Sequence, residues 1–74
     1  MFRAAVITVS DSCFLGARID LSGPIVVELL QANGFAVIGH IVVPDEQGAI
    51  ESALREQCEV ARLVVTTGGT GISA

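Results

Sequence analysis

Three polar clusters interrupt an otherwise apolar chain: Ser10-Asp11-Ser12, Pro44-Asp45-Glu46 and Thr66-Thr67-Gly68-Gly69-Thr70-Gly71. The last lacks side chains at Gly68, Gly69 and Gly71, so backbone N–H groups can approach a phosphate closely, with hydroxyl donors from Thr67 and Thr70. A lone G-G-x-G also suits a plain tight turn. It is neither a Walker loop, lacking the Gly-Lys-Ser/Thr end, nor a dinucleotide fingerprint. Asp45 is placed to cap a following helix, and a carboxylate there can also bind Mg²⁺ or position a reacting group. Ser10 and Asp11 serve equally as turn residues or as site residues. Asp20 and Ser22 read as helix-start residues, and His40, inside a strand, as a satisfied structural histidine. Cys13 has no evident partner base, which argues against a nucleophile, and Cys58 falls on the inner face of a helix.

Composition removes several classes of chemistry. The four bases are all arginine (Arg3, Arg18, Arg55, Arg62) and there is no lysine. That excludes a P-loop lysine, a Schiff base and a Ser-x-x-Lys nucleophile. A formal charge of −4 argues against a nucleic-acid binder, which needs a basic face. Phosphates held by backbone N–H groups remain open. No apolar run approaches the ~20 residues of a membrane span, and the start of the chain has no signal-peptide cleavage site. Two distant cysteines and one histidine make neither a disulfide framework nor a zinc site. A reduced, cytoplasmic chain with no metal-ligand set of its own is expected.

The elements that must position these clusters follow from hydrophobic runs and breakers. Residues 3–9 (RAAVITV), 35–43 (FAVIGHIVV) and 63–67 (LVVTT) are apolar, β-branched runs, the pattern of strands buried on both faces of a parallel sheet. Residues 10–20 are a loop without period. Ser22 caps a helix with Gly23-Pro24 in its first turn and Ile25, Val26, Leu29 and Leu30 as its apolar stripe, ended by Asn33-Gly34. Asp45 caps a second helix, residues 46–59, with Ile50, Ala53, Leu54 and Cys58 inward. The order β-loop-α-β-α-β predicts an open, Rossmann-like parallel α/β sheet. Ligands of such sheets bind beyond the carboxyl ends of the strands, and all three polar clusters fall there. Two helices are few for covering both faces of three strands, so the 74 residues are expected to be part of a larger domain.

Taken together, Val9-Ser10-Asp11-Ser12, Asp20-Leu21-Ser22-Gly23-Pro24, Val43-Pro44-Asp45-Glu46 and Thr66-Thr67-Gly68-Gly69-Thr70-Gly71 resemble the molybdopterin adenylyltransferase family. This family includes the bacterial MogA and MoaB proteins and the G domain of gephyrin; residues 9–14, Val-Ser-Asp-Ser-Cys-Phe, are especially gephyrin-like. The similarity spans the whole chain but about the first half of the family's domain. It implies a three-layer α/β/α fold, usually a homotrimer. It implies a reaction in molybdenum cofactor biosynthesis: Mg-ATP and molybdopterin give adenylyl-molybdopterin and pyrophosphate, with a molybdenum-insertion protein or domain downstream. By position, Thr67, Gly68, Gly69, Thr70 and Gly71 would line the nucleotide and phosphate site. Ser10 and Asp11 would lie in the pterin and phosphate region, and Asp45 matches the family's important acid.

The family pattern continues past Gly-Gly-Thr-Gly into an Arg-Asp pair and a Thr-Pro segment, where this sequence stops at Ile72-Ser73-Ala74. Residues 1–74 are therefore expected to be the N-terminal portion of one domain and inactive alone. The alternative is a non-catalytic module that holds pterin or nucleotide, or serves as a scaffold. A third reading, a CinA-type relative, calls for a different sequence after the first strand than Ser10-Asp11-Ser12.

Overall fold

Arg3–Val9 forms β1, and every residue from Ala4 to Val9 is buried. The run is short enough for one strand and carries no charge after Arg3, so both its faces can be covered. Full burial of Val6 and Ile7 contributes roughly 1.5–3 kcal/mol each relative to leaving them exposed. The computed structural model describes residues 2–16 and 19–68. After β1 come a one-turn helix α1 (Asp11–Phe14), α2 (Ser22–Ala32), β2 (Ala36–Val43), α3 (Gln47–Val60) and β3 (Leu63–Gly68).

The sheet order is β2-β1-β3, with both pairings parallel. The connection through α2 runs outward from β1 to β2, and the one through α3 returns across β1 to β3. Crossovers of one hand taken in opposite directions place their helices on opposite faces. Accordingly α3 covers Ile7, Val9, Ile41, Val43 and Val64 through Ile50, Ala53 and Leu54. The N-terminal turn of α2 lies over Thr8, His40 and Thr67 on the other face. This is the expected three-layer α/β/α arrangement, built on three strands.

Register fixes which side chains share a face. Ala4 pairs with Val37 but Ala5 with Gly39, so Ile38 is an extra residue in β2. A one-residue slip reverses the facing of everything beyond it. The bulge places His40 opposite Val6, on the face of Thr8, instead of among the aliphatic residues under α3. At the other end, Val9 lies level with both Val43 and Gly68. The three strands therefore release their polar clusters at one height.

Several local expectations are corrected. The 10–20 segment is not wholly irregular: Ser10 accepts the Cys13 N–H at 3.2 Å through Oγ and starts α1. Neither Ser22 nor Asp45 caps a helix with its side chain. Asp20 does that work for α2, its Oδ1 accepting the Gly23 N–H at 3.0 Å. For α3 the N-cap position falls one residue later, at Glu46, because Asp45 belongs to the turn that precedes it. On α2 the inner line is Gly23, which is buried, with Val26, Val27 and Leu30 half-buried, while Ile25 and Leu29 are exposed. Gly23 has no side chain to hold the helix off His40, so its side of the helix seats against the sheet. On α3 the inner position of the last turns goes to Gln57, whose Oε1 approaches Gly39, and Cys58 is exposed.

Candidate functional site

The order β2-β1-β3 brings the carboxyl ends of β1 and β3 side by side, the end of a parallel sheet at which ligands bind. Ser10 begins there on one side and Gly68 closes β3 on the other. The Ser10 N–H donates to the Val43 carbonyl at 2.9 Å, which extends the β1–β2 ladder to its last rung. One residue on, Asp11 Oδ1 accepts the Asp45 N–H at 2.9 Å. This bond ties the turn after β2 to the turn after β1. The Glu46 N–H donates to the Pro44 carbonyl at 2.8 Å and tightens that turn further. Ser10, Asp11 and Asp45, three of the residues singled out from the sequence, thus converge by direct contact of their segments. Asp45 itself is exposed, on the rim of the edge.

Gly68 has φ +86°, and a Cβ there would sit 2.5 Å from the Val9 carbonyl oxygen. Both facts demand glycine: the left-handed conformation and the close backbone approach each exclude a side chain. Thr67 precedes Gly68 on the α2 face, and its Oγ1 lies 3.3 Å from Ser22 Oγ. Gly69, Thr70 and Gly71, also expected at this edge, lie outside the described residues.

Behind the edge is a polar cluster that sequence reasoning did not assemble. Asp20 Oδ2 accepts from the Thr8 hydroxyl at 2.8 Å and lies 2.9 Å from His40 Nε2, while its Oδ1 holds Gly23. Nε2 is also 3.1 Å from Thr8 Oγ1. Thr8 gives its proton to Asp20, so Nε2 must carry a hydrogen to face both oxygens favourably. Burial pushes the Asp20 carboxyl up, but the Gly23 N–H, the Thr8 hydroxyl and the charge and hydrogen bond of His40 outweigh it and leave the pKa below its ordinary value. The sequence did carry a trace of this cluster: Thr8 is the only hydroxyl residue between Ala4 and Val9, and His40 interrupts an aliphatic strand.

Arg3 and Arg62 lie at the opposite, amino end of the sheet, joined by the Arg62 N–H to Arg3 carbonyl bond, and the Arg62 guanidinium stacks over Phe2 at 4.7 Å. With Asp11 and Asp45 close by, the described part of the edge offers an anion backbone N–H groups and hydroxyls. No group of three or more His, Cys, Asp or Glu side chains is arranged to hold a metal among the described residues. Asp11 and Asp45 therefore fit only the one- or two-carboxylate role that Mg²⁺ carried on nucleotide phosphates asks of a protein.

The family described as "Probable molybdopterin binding domain" matches this sequence over residues 5–74. The chain belongs to this molybdopterin-binding family. It is 45% identical over 73 residues to a protein named molybdopterin adenylyltransferase from Pyrococcus furiosus, covering 97% of this chain and 43% of that protein. The crystal structure of the tungsten cofactor synthesizing protein MoaB from Pyrococcus furiosus superposes with a TM-score of 0.88 at 42% identity, covering 99% of this chain and 46% of that one. CinA from Thermoplasma acidophilum, described as of unknown function, also gives 0.88, at 33% identity, covering 93% and 41%. The chain spans less than half the length of each of these three relatives. No helix among its described residues is long and apolar enough to cross a membrane.

Proposed function

We propose that the protein carrying this chain transfers the adenylyl group of Mg-ATP to molybdopterin, releasing pyrophosphate, and that this chain supplies the phosphate-facing edge of the site. A terminal phosphate oxygen of molybdopterin attacks the α-phosphorus of ATP, and the bond to the β-phosphate breaks. The observation that carries the reading is the convergence of Ser10, Asp11, Asp45, Thr67 and Gly68 at one strand edge. It is supported by the 45% identity to a protein of that name.

In this reading Thr67, Gly68, Gly69, Thr70 and Gly71 cradle the nucleotide phosphates through N–H and hydroxyl donors. Ser10 and Asp11 face the pterin phosphate. Asp45, held at its backbone and open at its carboxylate, orients the reacting phosphates or meets the magnesium that accompanies them. Mg²⁺, when bound, offsets the charge of the two anionic partners. The chain's own contribution is placement and fixed donors, which is where phosphoryl-type transfer draws most of its acceleration. A cytoplasmic homotrimer that passes its product to a molybdenum-insertion partner accompanies the proposal.

The test is adenylyl transfer by the complete protein, followed by pyrophosphate release with molybdopterin present and absent. The wild type should release pyrophosphate only with molybdopterin. Asp45→Ala should lower the rate by about 10²–10³-fold, the scale of losing one preorganised electrostatic contact. ATP binding without turnover in the wild type would favour the second reading, a non-catalytic pterin or nucleotide module.

A further inference from the structure

We infer that Asp20, clamped by Thr8, Gly23 and His40, is a positioning residue for the nucleotide edge: it sets where Ser22 meets Thr67, one residue before the Gly68 turn. This rests on the proposed reading of that edge and extends it to residues the reading does not use. Among the described residues Asp20 makes its hydrogen bonds to Thr8, Gly23 and His40, and not to Gly68 or Asp45; it acts through α2. Its two oxygens serve different elements. Oδ1 holds the first turn of α2 through Gly23, and Oδ2 is fixed to β1 by Thr8 and to β2 by His40. Ser22, adjacent to Gly23, then reaches β3 at Thr67.

All three strands are thereby tied to one helix turn: Thr8 and Thr67 are level with each other, and His40 lies one same-face position nearer the amino end, opposite Val6. The fixed point is stiff. Thr8 is 2% exposed, the Asp20 side chain 13%, and Gly23 leaves no room for a methyl group between His40 and Asp20. A helix start that needed only a cap would require Oδ1 alone. The second oxygen, the buried threonine and a histidine placed on the α2 face by the Ile38 bulge set the height of that turn above the sheet, a placement no cap provides.

The experiment compares Asp20→Ala, His40→Leu and His40→Gln in the complete protein. KM for ATP, KM for molybdopterin and kcat are each measured per folded molecule. Glutamine keeps an N–H to give Asp20; leucine does not. Asp20→Ala and His40→Leu should raise KM for ATP about tenfold, the scale of one lost hydrogen bond, and leave KM for molybdopterin within about twofold. His40→Gln should stay near the wild type. Ser22→Ala should raise KM for ATP similarly and add little on top of Asp20→Ala. An unchanged KM for ATP, or equal rises for both substrates, overturns the proposal.

A ligand-free readout separates this idea from the adenylyltransfer reading. The NMR resonances of Ser22 and Thr67 should move together in Asp20→Ala and His40→Leu, whether or not the wild type turns over. If they stay in place in both variants, the positioning role is refuted. If they move while the wild type transfers no adenylyl group, the positioning role stands and the adenylyltransfer reading falls.

Discussion

Replacing Gly68 with alanine probes the close approach of β3 to the end of β1. Two costs are visible. The residue has φ +86°, and an L-residue held in that region costs roughly 1–2 kcal/mol. The new Cβ would also lie 2.5 Å from the Val9 carbonyl oxygen, a backbone atom of the fully paired central strand that has nowhere to move. Overpacking of that kind costs typically about 1–3 kcal/mol. Together they give about 2–5 kcal/mol, against a total stability on the order of 4–11 kcal/mol for a chain of this size. Gly34 supplies the control: it has φ +88° and nothing within 4 Å of an added Cβ, so Gly34→Ala carries the conformational cost alone. Urea denaturation of the two variants should show the midpoint of Gly68→Ala well below that of Gly34→Ala, at equal m-value. Equal midpoints would refute the close approach of Gly68 to Val9, and with it the reason for glycine at this position.

Three further outcomes follow from the same contacts. The depressed Asp20 pKa means that its stabilisation is fully present above the unfolded-state value of about 3.9 and is lost as pH falls through the lower folded value; acid titration of stability should therefore steepen below about pH 4, and Asp20→Asn should flatten that limb. Asp11→Ala removes the acceptor of the Asp45 N–H, so amide exchange at Asp45 should accelerate, with stability falling by about 0.5–1.5 kcal/mol. Cys58 is exposed, so Cys58→Ser should change the denaturation midpoint by no more than the equivalent of about 0.5 kcal/mol.

The strands and the two long helices were legible because each is a run of its own period: β-branched residues at 3–9, 36–43 and 63–68, and helical spacing between them. The parallel sheet followed from the alternation of strand and helix, and the gathering of Ser10, Asp11, Asp45 and Thr67 at its carboxyl edge from parallel geometry. Long-range contacts decided the rest. The capping capacity of Ser22 and Asp45 is real chemistry, but Asp20 reached Gly23 first, and Asp11 fixed the Asp45 turn before α3 begins. The stripe on α2 turned on a single absent side chain at Gly23, which no periodicity of apolar residues reports. His40 was legible as a satisfied histidine but not as a partner of Asp20 and Thr8, because its facing depends on the Ile38 bulge. A bulge leaves no trace in composition.

The central claim is that phosphate ligands bind at the carboxyl edge of the sheet. Hydrogen exchange of the complete protein, with and without Mg-ATP, tests it most directly. Protection should appear in segments containing Ser10, Asp11, Asp45, Thr67 and Gly68, and should be absent from the amino edge at Arg3, Ala36 and Leu63. Protection centred on the amino edge, or on the open cleft between α2 and β2 lined by Pro24, Val27, Val37 and Ile38, would contradict it.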